Sequence, residues 1–372
     1  MKTLIFCSDG ISKSSGFLTG GGLRSSQIIE IMKKFGHVDF VEPQSARNLH
    51  QDFGYAVTVE SQQHWVNHFN PDFVYFLNAS AAVLAQSPAF NLPFCVDIHG
   101  PIHIESCWIN GGAFHNEVVK LKQTTHRADF ITVANERQKY GLIYGGFLNN
   151  AEFMNSDHVI VIPVYMKNEL SLMSENKDVK PTNLKNYVYS IGSIYPWHDY
   201  KTPFINLIEG LAKDQTFRLI GGPHSGLVNA IETNLFISDL QLHPRVEVFP
   251  QMPRASLDEH FRIAKCVVDL SCSNSERILA ANTRVAEFLS LGIPTLVDQY
   301  SYFGEKLEEW GFTGLVVKDH KEDLVEKIRH LLKLEYGKLN QIRRKIHTAF
   351  KKNMPIDLGI ANFEKILKNK EW

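Results

Sequence analysis

The sequence lacks an excess of charge of either sign: 39 lysine and arginine residues stand against 40 aspartate and glutamate residues, a formal net charge of −1 over 372 residues. The chain therefore has no overall field to gather nucleic acid or an anionic membrane, although a local basic patch could still bind either. With 44% hydrophobic and 21% charged residues, it is not disordered by composition. At about 150 residues per domain, its length predicts two domains.

Cysteine is scarce as well, with five residues at positions 7, 95, 107, 266 and 272 and no C-x-x-C pair. This pattern favours reduced thiols in the cytoplasm over a disulfide framework and offers no structural zinc site. Long apolar runs are also missing. No stretch approaches the roughly 20 apolar residues of a membrane span, and the apolar run in residues 1–7 is too short for a signal peptide. We therefore expect a cytoplasmic protein.

Short, continuous apolar segments alternate with helix-like segments in the first half of the chain. Continuous hydrophobicity is typical of strands that are buried on both faces. Ile28, Ile31, Met32 and Phe35 recur between the first two segments at the spacing of one helix face. The predicted strands are residues 3–7, 37–41, 73–77, 94–97, 130–133 and 159–162. Their β-α-β order predicts a parallel sheet.

A polar stretch at residues 170–186 has little to bury and is interpreted as a linker. A second βα series follows it, which predicts two doubly wound α/β domains in tandem. The predicted strands of this series are residues 187–191, 217–221, 246–249, 266–270, 295–297 and 314–317, and its predicted helices are residues 203–213, 257–265 and 283–291. We place the domains at residues 1–182 and 183–345, followed by a helical segment, residues 346–372, that could return to the first domain.

A basic cluster near the C-terminus contrasts with the balanced total charge. Arg343, Arg344, Lys345, Lys351 and Lys352 fall in a helical pattern there. A solvated helix face is the favoured interpretation. The alternative is a peripheral contact with the inner face of a membrane or with an anionic acceptor, because such clusters bind acidic surfaces without changing the net charge.

Three glycines at positions 20–22 follow the first predicted strand and open the first predicted helix. Backbone N–H groups can hold a phosphate at such a place, so Gly21 and Gly22 are candidate phosphate-binding residues. The dinucleotide fingerprint G-x-G-x-x-G is incomplete, because Ser25 occupies its third glycine position. Glu42 does stand about 20 residues further on, as that fingerprint requires. A nicotinamide-dependent oxidoreductase therefore stays open as an alternative.

Two more glycine segments follow strands of the second series, at residues 192–201 and 221–224. Both are predicted at the carboxyl ends of strands, where open α/β sheets bind ligands. Two such turns on one edge of the sheet favour a binding site over plain loops. Gly192, Ser193, His198 and Lys201 are its candidate residues.

The most informative stretch is residues 275–295, S-E-R-I-L-A-A-N-T-R-V-A-E-F-L-S-L-G-I-P-T. This stretch resembles the donor-sugar region of GT-B glycosyltransferases, especially the retaining group called family 4. The resemblance rests on an acidic residue, a T-R pair, a helix that contains a second acidic residue, and a G-I-P turn, in that order. The resemblance implies that Glu276, in a loop, binds sugar hydroxyls, that the amides around Thr283 face a diphosphate, and that Glu287 holds ribose hydroxyls. The residues alone also allow an interpretation without a ligand, in which a surface loop leads into a capped helix and Glu287 pairs with Arg284 along that helix.

Other segments follow in the order of that family across nearly the whole chain. They are V-D-I-H-G-P at residues 96–101, which contains His99, A-D-F-I-T-V-A-N-E-R-Q at residues 128–138, and V-I-P at residues 161–163. In that family, an arginine–lysine pair after the first strand of the second domain normally holds the diphosphate. This pair is not intact here. Ser193 stands at its arginine position, and His198 or Lys201 must serve as its lysine. We favour Arg284 as the replacement cation, with Lys201 as a second and Arg277, beside Glu276, as a further possibility.

The resemblance implies a GT-B fold, in which two Rossmann-like domains flank a cleft, and a transfer of sugar from a UDP-linked donor to a glycan, lipid-linked or small-molecule acceptor. It also implies retention at the anomeric carbon, His99 and Glu276 as catalytic residues, and no cofactor. The sequence contains no D-x-D, which argues against the metal-dependent GT-A class. Two alternatives remain, an NAD(P)-dependent oxidoreductase and a catalytically silent nucleotide-sugar-binding protein.

Overall fold

The computed structural model describes residues 1–7, 9–11, 20–43, 57–101, 104–105, 114–148, 158–166, 186–195, 197–223 and 231–368. The chain divides into two compact units. The first unit comprises Met1–Tyr165, Leu279–Thr283 and Met354–Trp372, and the second comprises Met166–Ile278 and Arg284–Asn353. Residues 170–185 of the expected linker lie outside the described residues. The expected boundary at residue 345 falls inside a helix, and the two units divide after that helix instead.

The strands of the first unit form one parallel sheet in the order β2-β1-β3-β4-β5-β6. Its elements are β1 (Lys2–Phe6), α1 (Gly20–Met32), β2 (His37–Val41), α2 (Val59–Phe69), β3 (Phe73–Phe76), β4 (Phe94–Ile98), α3 (Phe114–Arg127), β5 (Phe130–Val133), α4 (Glu136–Tyr144) and β6 (Val159–Val161).

Both faces of this sheet are buried, which explains its continuous apolar strands. Successive side chains of a strand point to opposite faces, so Leu4 and Phe6 of β1 pack in one hydrophobic core while Ile5 packs in the other. Ile28 and Ile31 of α1 pack in the same core as Ile5, as their helical spacing predicts.

The strands of the second unit form another parallel sheet, in the order β12-β11-β10-β7-β8-β9. Its elements are β7 (Tyr187–Ile194), α5 (Lys201–Gly210), β8 (Thr216–Pro223), α6 (Ile231–Gln241), β9 (Val246–Phe249), α7 (Arg254–Ile263), β10 (Cys266–Asp269), α8 (Ser275–Leu279), α9 (Thr283–Ser290), β11 (Thr295–Asp298), α10 (Tyr302–Glu309), β12 (Val316–Val317), α11 (Glu322–Lys333) and α12 (Tyr336–Asn353). Two doubly wound parallel-sheet units confirm the fold class that the sequence predicts.

A last helix, α13 (Ile356–Lys368), belongs to the first unit. Its Phe363 is fully buried and its ring packs against Phe35, Phe73 and Tyr75. Asn362 donates from Nδ2 to the carbonyl oxygen of Val161 at 2.9 Å. Among the described helices, none combines the length and the apolar character that crossing a membrane requires.

The order of strands reverses once in each sheet, between β1 and β3 in the first unit and between β7 and β10 in the second. In open α/β sheets, ligands bind outside the carboxyl ends of the strands at such a reversal. The two reversals therefore mark where binding residues are expected, one in each unit.

Candidate functional site

The reversal in the second sheet carries a cluster of three charged side chains. Asp269 ends β10, and its carboxylate accepts a hydrogen bond from Nη2 of Arg277 at 2.5 Å. Nη1 of Arg284 lies 3.7 Å from the other carboxylate oxygen. Asp269 and Arg277 are 7% and 4% exposed. We call these three residues the Asp269 cluster, which combines two cations with one anion in a dry environment.

Asp269 and Arg277 of the cluster stay ionised at neutral pH. Burial alone would raise the pKa of Asp269, but Arg277 and Arg284 beside it hold that pKa below its usual value. Burial would likewise lower the pKa of Arg277, and the neighbouring Asp269 and Glu276 raise it instead. The Asp269 cluster therefore keeps a net charge of about +1, which suits an anionic ligand.

Arg284 lies against the end of β7. Its Nη2 donates to the carbonyl oxygen of Ser193 at 2.5 Å, and a Cβ at Gly192 would stand only 2.4 Å from its Nε. Gly192 has a φ of +122°, so its backbone and the approach of Arg284 both require glycine there. Arg284 thus brings a cation to the backbone of Ser193, where the resemblance expects an arginine side chain.

The glycine loops predicted after residues 191 and 221 are wrong in one respect, because Gly192 and Gly222 belong to strands. Gly192 pairs with Gly221 and Ser193 pairs with Gly222 in the ladder of β7 and β8. A Cβ at Gly221 would lie 2.1 Å from the carbonyl oxygen of Gly192. The glycines therefore extend the sheet toward the Asp269 cluster, and His224 lies outside the described residues.

His198 also lies beside the cluster, and its imidazole lines the same small cavity as Arg277 and Arg284. Burial, followed by the two arginines, lowers the pKa of His198 well below its usual value. The imidazole is therefore neutral at neutral pH and can act only as a hydrogen-bonding group. The cavity measures about 20 Å³, so a bound diphosphate requires side chains to move.

Lys201 does not join the Asp269 cluster. It begins α5, its side chain is 49% exposed, and its Nζ lies 3.7 Å from a carboxylate oxygen of Glu232. Arg277, which follows the predicted Glu276, stands in the cluster instead. The second cation of this site therefore comes from α8 rather than from α5.

Glu276 lies in the short helix α8 and is 5% exposed, whereas the sequence places it in a loop. Burial raises the pKa of its carboxyl group to about 7, against the opposing effects of Arg277 and of a hydrogen bond from the side chain of Trp197. Its Oε2 has no hydrogen-bond partner among the described residues. A buried carboxyl oxygen without a hydrogen-bond partner lowers the stability of the folded protein unless a proton or a ligand satisfies it.

Helix α9 begins at Thr283, as the sequence predicts, and Glu287 follows one turn later with a half-buried side chain. Thr283 groups with the first unit and Arg284 with the second.

The first unit holds a second group of polar residues, around Asp97 in β4. The carboxylate of Asp97 accepts hydrogen bonds from Nε and Nη2 of Arg24, at 3.1 and 2.8 Å, and from Oγ1 of Thr132 at 2.6 Å. Nδ1 of His99 lies 3.0 Å from the same carboxylate. Burial alone would raise the pKa of Asp97, but Arg24 and His99 hold it well below its usual range.

This arrangement orients His99. With Nδ1 engaged by Asp97, Nε2 is the ring nitrogen left for a ligand. His99 lines a cavity of about 50 Å³ together with Asn78 and Glu105. His99 and Glu276, the two predicted catalytic residues, belong to different units, and each is held by a buried partner within its own unit.

Gly21 and Gly22 lie in the first turn of α1, at the start of the helix that the sequence predicts. β1 ends at Phe6 and α1 begins at Gly20, so residues 7–19 separate the strand from the helix. The dinucleotide fingerprint needs its first glycine directly after the strand, whereas Gly20 stands well beyond Phe6 in the sequence. The carboxylate of Glu42 accepts a hydrogen bond from the backbone amide of Ile11.

Several site residues escaped the sequence interpretation, although each had a signal. Asp97 and Asp269 are charged residues at or near the carboxyl ends of apolar strands, the position that open sheets use for function. Arg24 interrupts the buried face of α1 and is 1% exposed. A charge on an apolar face indicates a buried partner.

No family model matches the chain, and no curated protein matches it in sequence. Solved structures match it along its whole length. It is 14% identical to HepE of Anabaena in complex with UDP-glucose, with a TM-score of 0.71 and 100% of each chain covered. The sucrose-phosphate synthase of Thermosynechococcus elongatus is 12% identical, with a TM-score of 0.70 and 99% of each chain covered.

A third similar structure is the catalytic domain of starch synthase IV from Arabidopsis thaliana, bound to ADP and acarbose. It is 11% identical, with a TM-score of 0.67, and the match covers 99% of this chain and 98% of that one. These likenesses, together with the two parallel sheets, show that the chain has the GT-B fold.

Proposed function

We propose that the protein is a glycosyltransferase that moves a sugar from a nucleotide diphosphate donor, most simply a UDP-sugar, to an acceptor hydroxyl. The observation that carries the proposal is the Asp269 cluster, a buried group with net positive charge at the strand reversal of the second sheet. Two solved structures with the same fold hold UDP-glucose and ADP. The second unit would bind the donor.

Arg284 and Arg277 would hold the diphosphate. An arginine can bind two phosphate oxygens at once, and both side chains are held in place by Asp269 before a ligand arrives. As the bond from the sugar to the diphosphate breaks, negative charge gathers on the leaving group. Cations fixed in a dry site stabilise that charge more than mobile ones in water do.

Glu276 and Glu287 would bind the donor's hydroxyls, Glu276 on the sugar and Glu287 on the ribose. The raised pKa of Glu276 suits a carboxyl group that donates or accepts a hydrogen bond near neutral pH. His99, oriented by Asp97, would contact the sugar or the acceptor. In the reaction, the anomeric bond to the diphosphate breaks, a bond to the acceptor oxygen forms, and the proton of the acceptor hydroxyl passes to the leaving diphosphate, with the configuration retained as in family 4.

We further propose that the transfer needs no divalent metal, since the arginines supply the positive charge and the sequence contains no D-x-D. Donor binding and turnover should persist in EDTA. Loss of both on chelation, with recovery on adding magnesium or manganese, would contradict a metal-free reaction.

Calorimetric titration of UDP and uridine tests the donor site. Only UDP carries the diphosphate, so Arg284→Ala should weaken UDP by about ten- to hundredfold and leave uridine almost unchanged. Arg277→Ala should act in the same direction. Lys201→Ala is the matched control, because Lys201 is exposed and lies beside Glu232.

The opposite results would refute the assignment. A preference for UDP over uridine that survives both arginine substitutions would place the phosphates elsewhere, most simply at Gly21 and Gly22. A loss with Lys201→Ala equal to that with Arg284→Ala would remove the special role of the Asp269 cluster.

A catalytically silent nucleotide-sugar-binding protein is the second candidate. The observation that favours it is the small cavity at the Asp269 cluster, where Asp269 already occupies both arginines. Hydrolysis of UDP-sugars in the absence of acceptor separates the two candidates, because an active transferase releases UDP slowly and a silent binder does not. The oxidoreductase alternative loses its main support, since residues 7–19 separate β1 from the glycines.

A further inference from the structure

Helix α12 (Tyr336–Asn353) carries an unbalanced charge. Its 18 residues contain six cations and no aspartate or glutamate. The nearest acidic residue in the chain, Glu335, precedes the helix. The proposed donor site uses no residue of α12, so this charge has no role in the function described above.

The structure separates the cations of α12 into one buried and five exposed residues. Arg343 is 6% exposed and donates to the carbonyl oxygens of Phe261, Arg262 and Ala264 at the end of α7. Burial lowers its pKa to about 10. Arg343 is therefore a helix cap, and its place in the basic cluster predicted from the sequence is wrong.

The five exposed cations form two rows on one face, which we call the α12 basic face. One row consists of Lys338, Lys345 and Lys352, and the other consists of Arg344 and Lys351. Residues seven apart lie two turns apart on the same side of a helix, so the face extends along roughly 20 Å. None of the five makes an ion pair with a described residue.

The opposite side of α12 is fixed in the second unit. Leu339, Ile346 and Phe350 are buried there with Arg343, at positions facing away from the two rows. The helix therefore cannot turn its apolar side outward without unfolding the unit. Whatever binds the α12 basic face must do so by charge rather than by insertion of apolar side chains.

We propose that the α12 basic face docks the protein on the anionic headgroups of a membrane. Four of the five cations are lysines, which act as point charges and suit a diffuse anionic surface better than one fixed phosphate. None of the exposed residues of α12 has an aromatic side chain to stack on bases, which disfavours single-stranded nucleic acid. Clusters of four to eight lysines and arginines on a helix are typical of binding to anionic lipid.

Sedimentation with lipid vesicles tests the proposal on the full chain. The protein should bind vesicles of phosphatidylglycerol and phosphatidylcholine, should not bind phosphatidylcholine alone, and should dissociate in about 0.5 M salt, where charge is screened. Each lysine near an anionic surface contributes about fivefold in affinity. Lys345→Gln with Lys352→Gln should therefore weaken binding about 25-fold.

The matched control is Lys33→Gln with Lys34→Gln, which makes the same change in charge at two exposed lysines of the first unit. It should leave binding unchanged. Three results would overturn the proposal: no binding to anionic vesicles, equal losses in the two double variants, or tighter binding of this face to nucleic acid or to an anionic polysaccharide than to vesicles. Circular dichroism of each variant checks that the fold is intact.

Discussion

Asp269 holds two arginines in the position where the proposed donor places its phosphates. A carboxylate near a diphosphate repels it, yet the same carboxylate keeps Arg277 and Arg284 oriented while no ligand is bound. Asp269 therefore lowers the affinity for the donor and stabilises the folded state. The two effects can be measured separately.

Asp269→Asn should tighten UDP binding by about an order of magnitude, because a like charge beside the diphosphate is removed. The same change leaves Arg277 buried without its counter-charge, so the free energy of unfolding should fall by about 3–5 kcal/mol. The diphosphate of bound UDP supplies a negative charge beside Arg277 again. UDP should therefore raise the melting temperature of the variant more than that of the wild type. Weaker UDP binding in the variant would show that Asp269 serves binding only by orienting the arginines.

The sequence indicates which positions carry function more readily than how each is used. Glu276, Arg284 and Glu287 can be picked out because the G-I-P turn and the acidic helix have a recognisable spacing. Sequence spacing does not show that Glu276 is buried, or that its side chain is hydrogen-bonded to Trp197, which lies far away in the chain. Lys201 is an attractive cation on spacing alone, and only the packing of α5 and α6 places it beside Glu232.

The paired ends of β7 and β8 together position the backbone of the proposed donor site. Their glycines continue the ladder, so that the backbone of Ser193 meets the guanidinium of Arg284. The sequence predicts both strands from their apolar residues but ends them too early, because glycine is depleted in strands. A positive φ inside a strand has no signal in hydrophobic periodicity.

Gly192→Ala should displace Arg284, since the new Cβ would stand 2.4 Å from Nε, and its positive φ adds strain. We expect a lower melting temperature and an affinity for UDP that falls about tenfold or more, with uridine little affected. Gly222→Ala is the matched control, because a Cβ added there would meet no heavy atom of the described residues within 4 Å apart from its chain neighbours. Equal losses of UDP affinity in the two variants would contradict this role for Gly192.

The loop after β12 is fastened to β11 by an ion pair. Nε2 of His320 lies 2.5 Å from Oδ1 of Asp298, which is fully buried and also accepts a hydrogen bond from the amide of Ser271. The hydrogen bond to Asp298 raises the pKa of His320 above its ordinary value of about 6.5, against the opposing effect of burial. The carboxylates of Asp298 and Asp319 both favour the imidazolium.

A histidine whose pKa is raised by folding stabilises the protein below the pKa of its unfolded state, and the contribution disappears as the pH rises through the folded-state pKa. His320→Gln should therefore cost about 1.5–3 kcal/mol near pH 6 and much less near pH 9. Denaturant unfolding at both pH values measures the difference. His330→Gln, at an exposed position of α11, is the matched control. A cost for His320→Gln that stays constant with pH would mean that the imidazole is not charged.

At the scale of the whole molecule, the chain returns to its first unit at the C-terminus. The sequence leaves such a return open, because a helical pattern does not reveal which core a helix covers. Phe363 packs among aromatic rings from three places in the first unit. The stability of the first unit therefore depends on residues more than 180 positions away in the chain.

Phe363→Ala should destabilise the first unit by about 3–5 kcal/mol, the usual cost of deleting a fully buried phenylalanine side chain. Hydrogen exchange followed by mass spectrometry should show faster exchange in β1 and β3, while β7 and β8 keep their protection. Leu358→Ala is the control on the same helix, because Leu358 is 42% exposed. Faster exchange confined to the second unit would contradict the placement of α13.

The central claim is that the Asp269 cluster of the second unit binds the diphosphate of a nucleotide donor. A crystal structure of the protein with UDP tests it most directly. The account predicts diphosphate oxygens within about 3.2 Å of the guanidinium groups of Arg284 and Arg277, with Arg284 moved away from Asp269. A diphosphate bound in the first unit, against Gly21 and Gly22, with the Asp269 cluster unchanged, would contradict the claim.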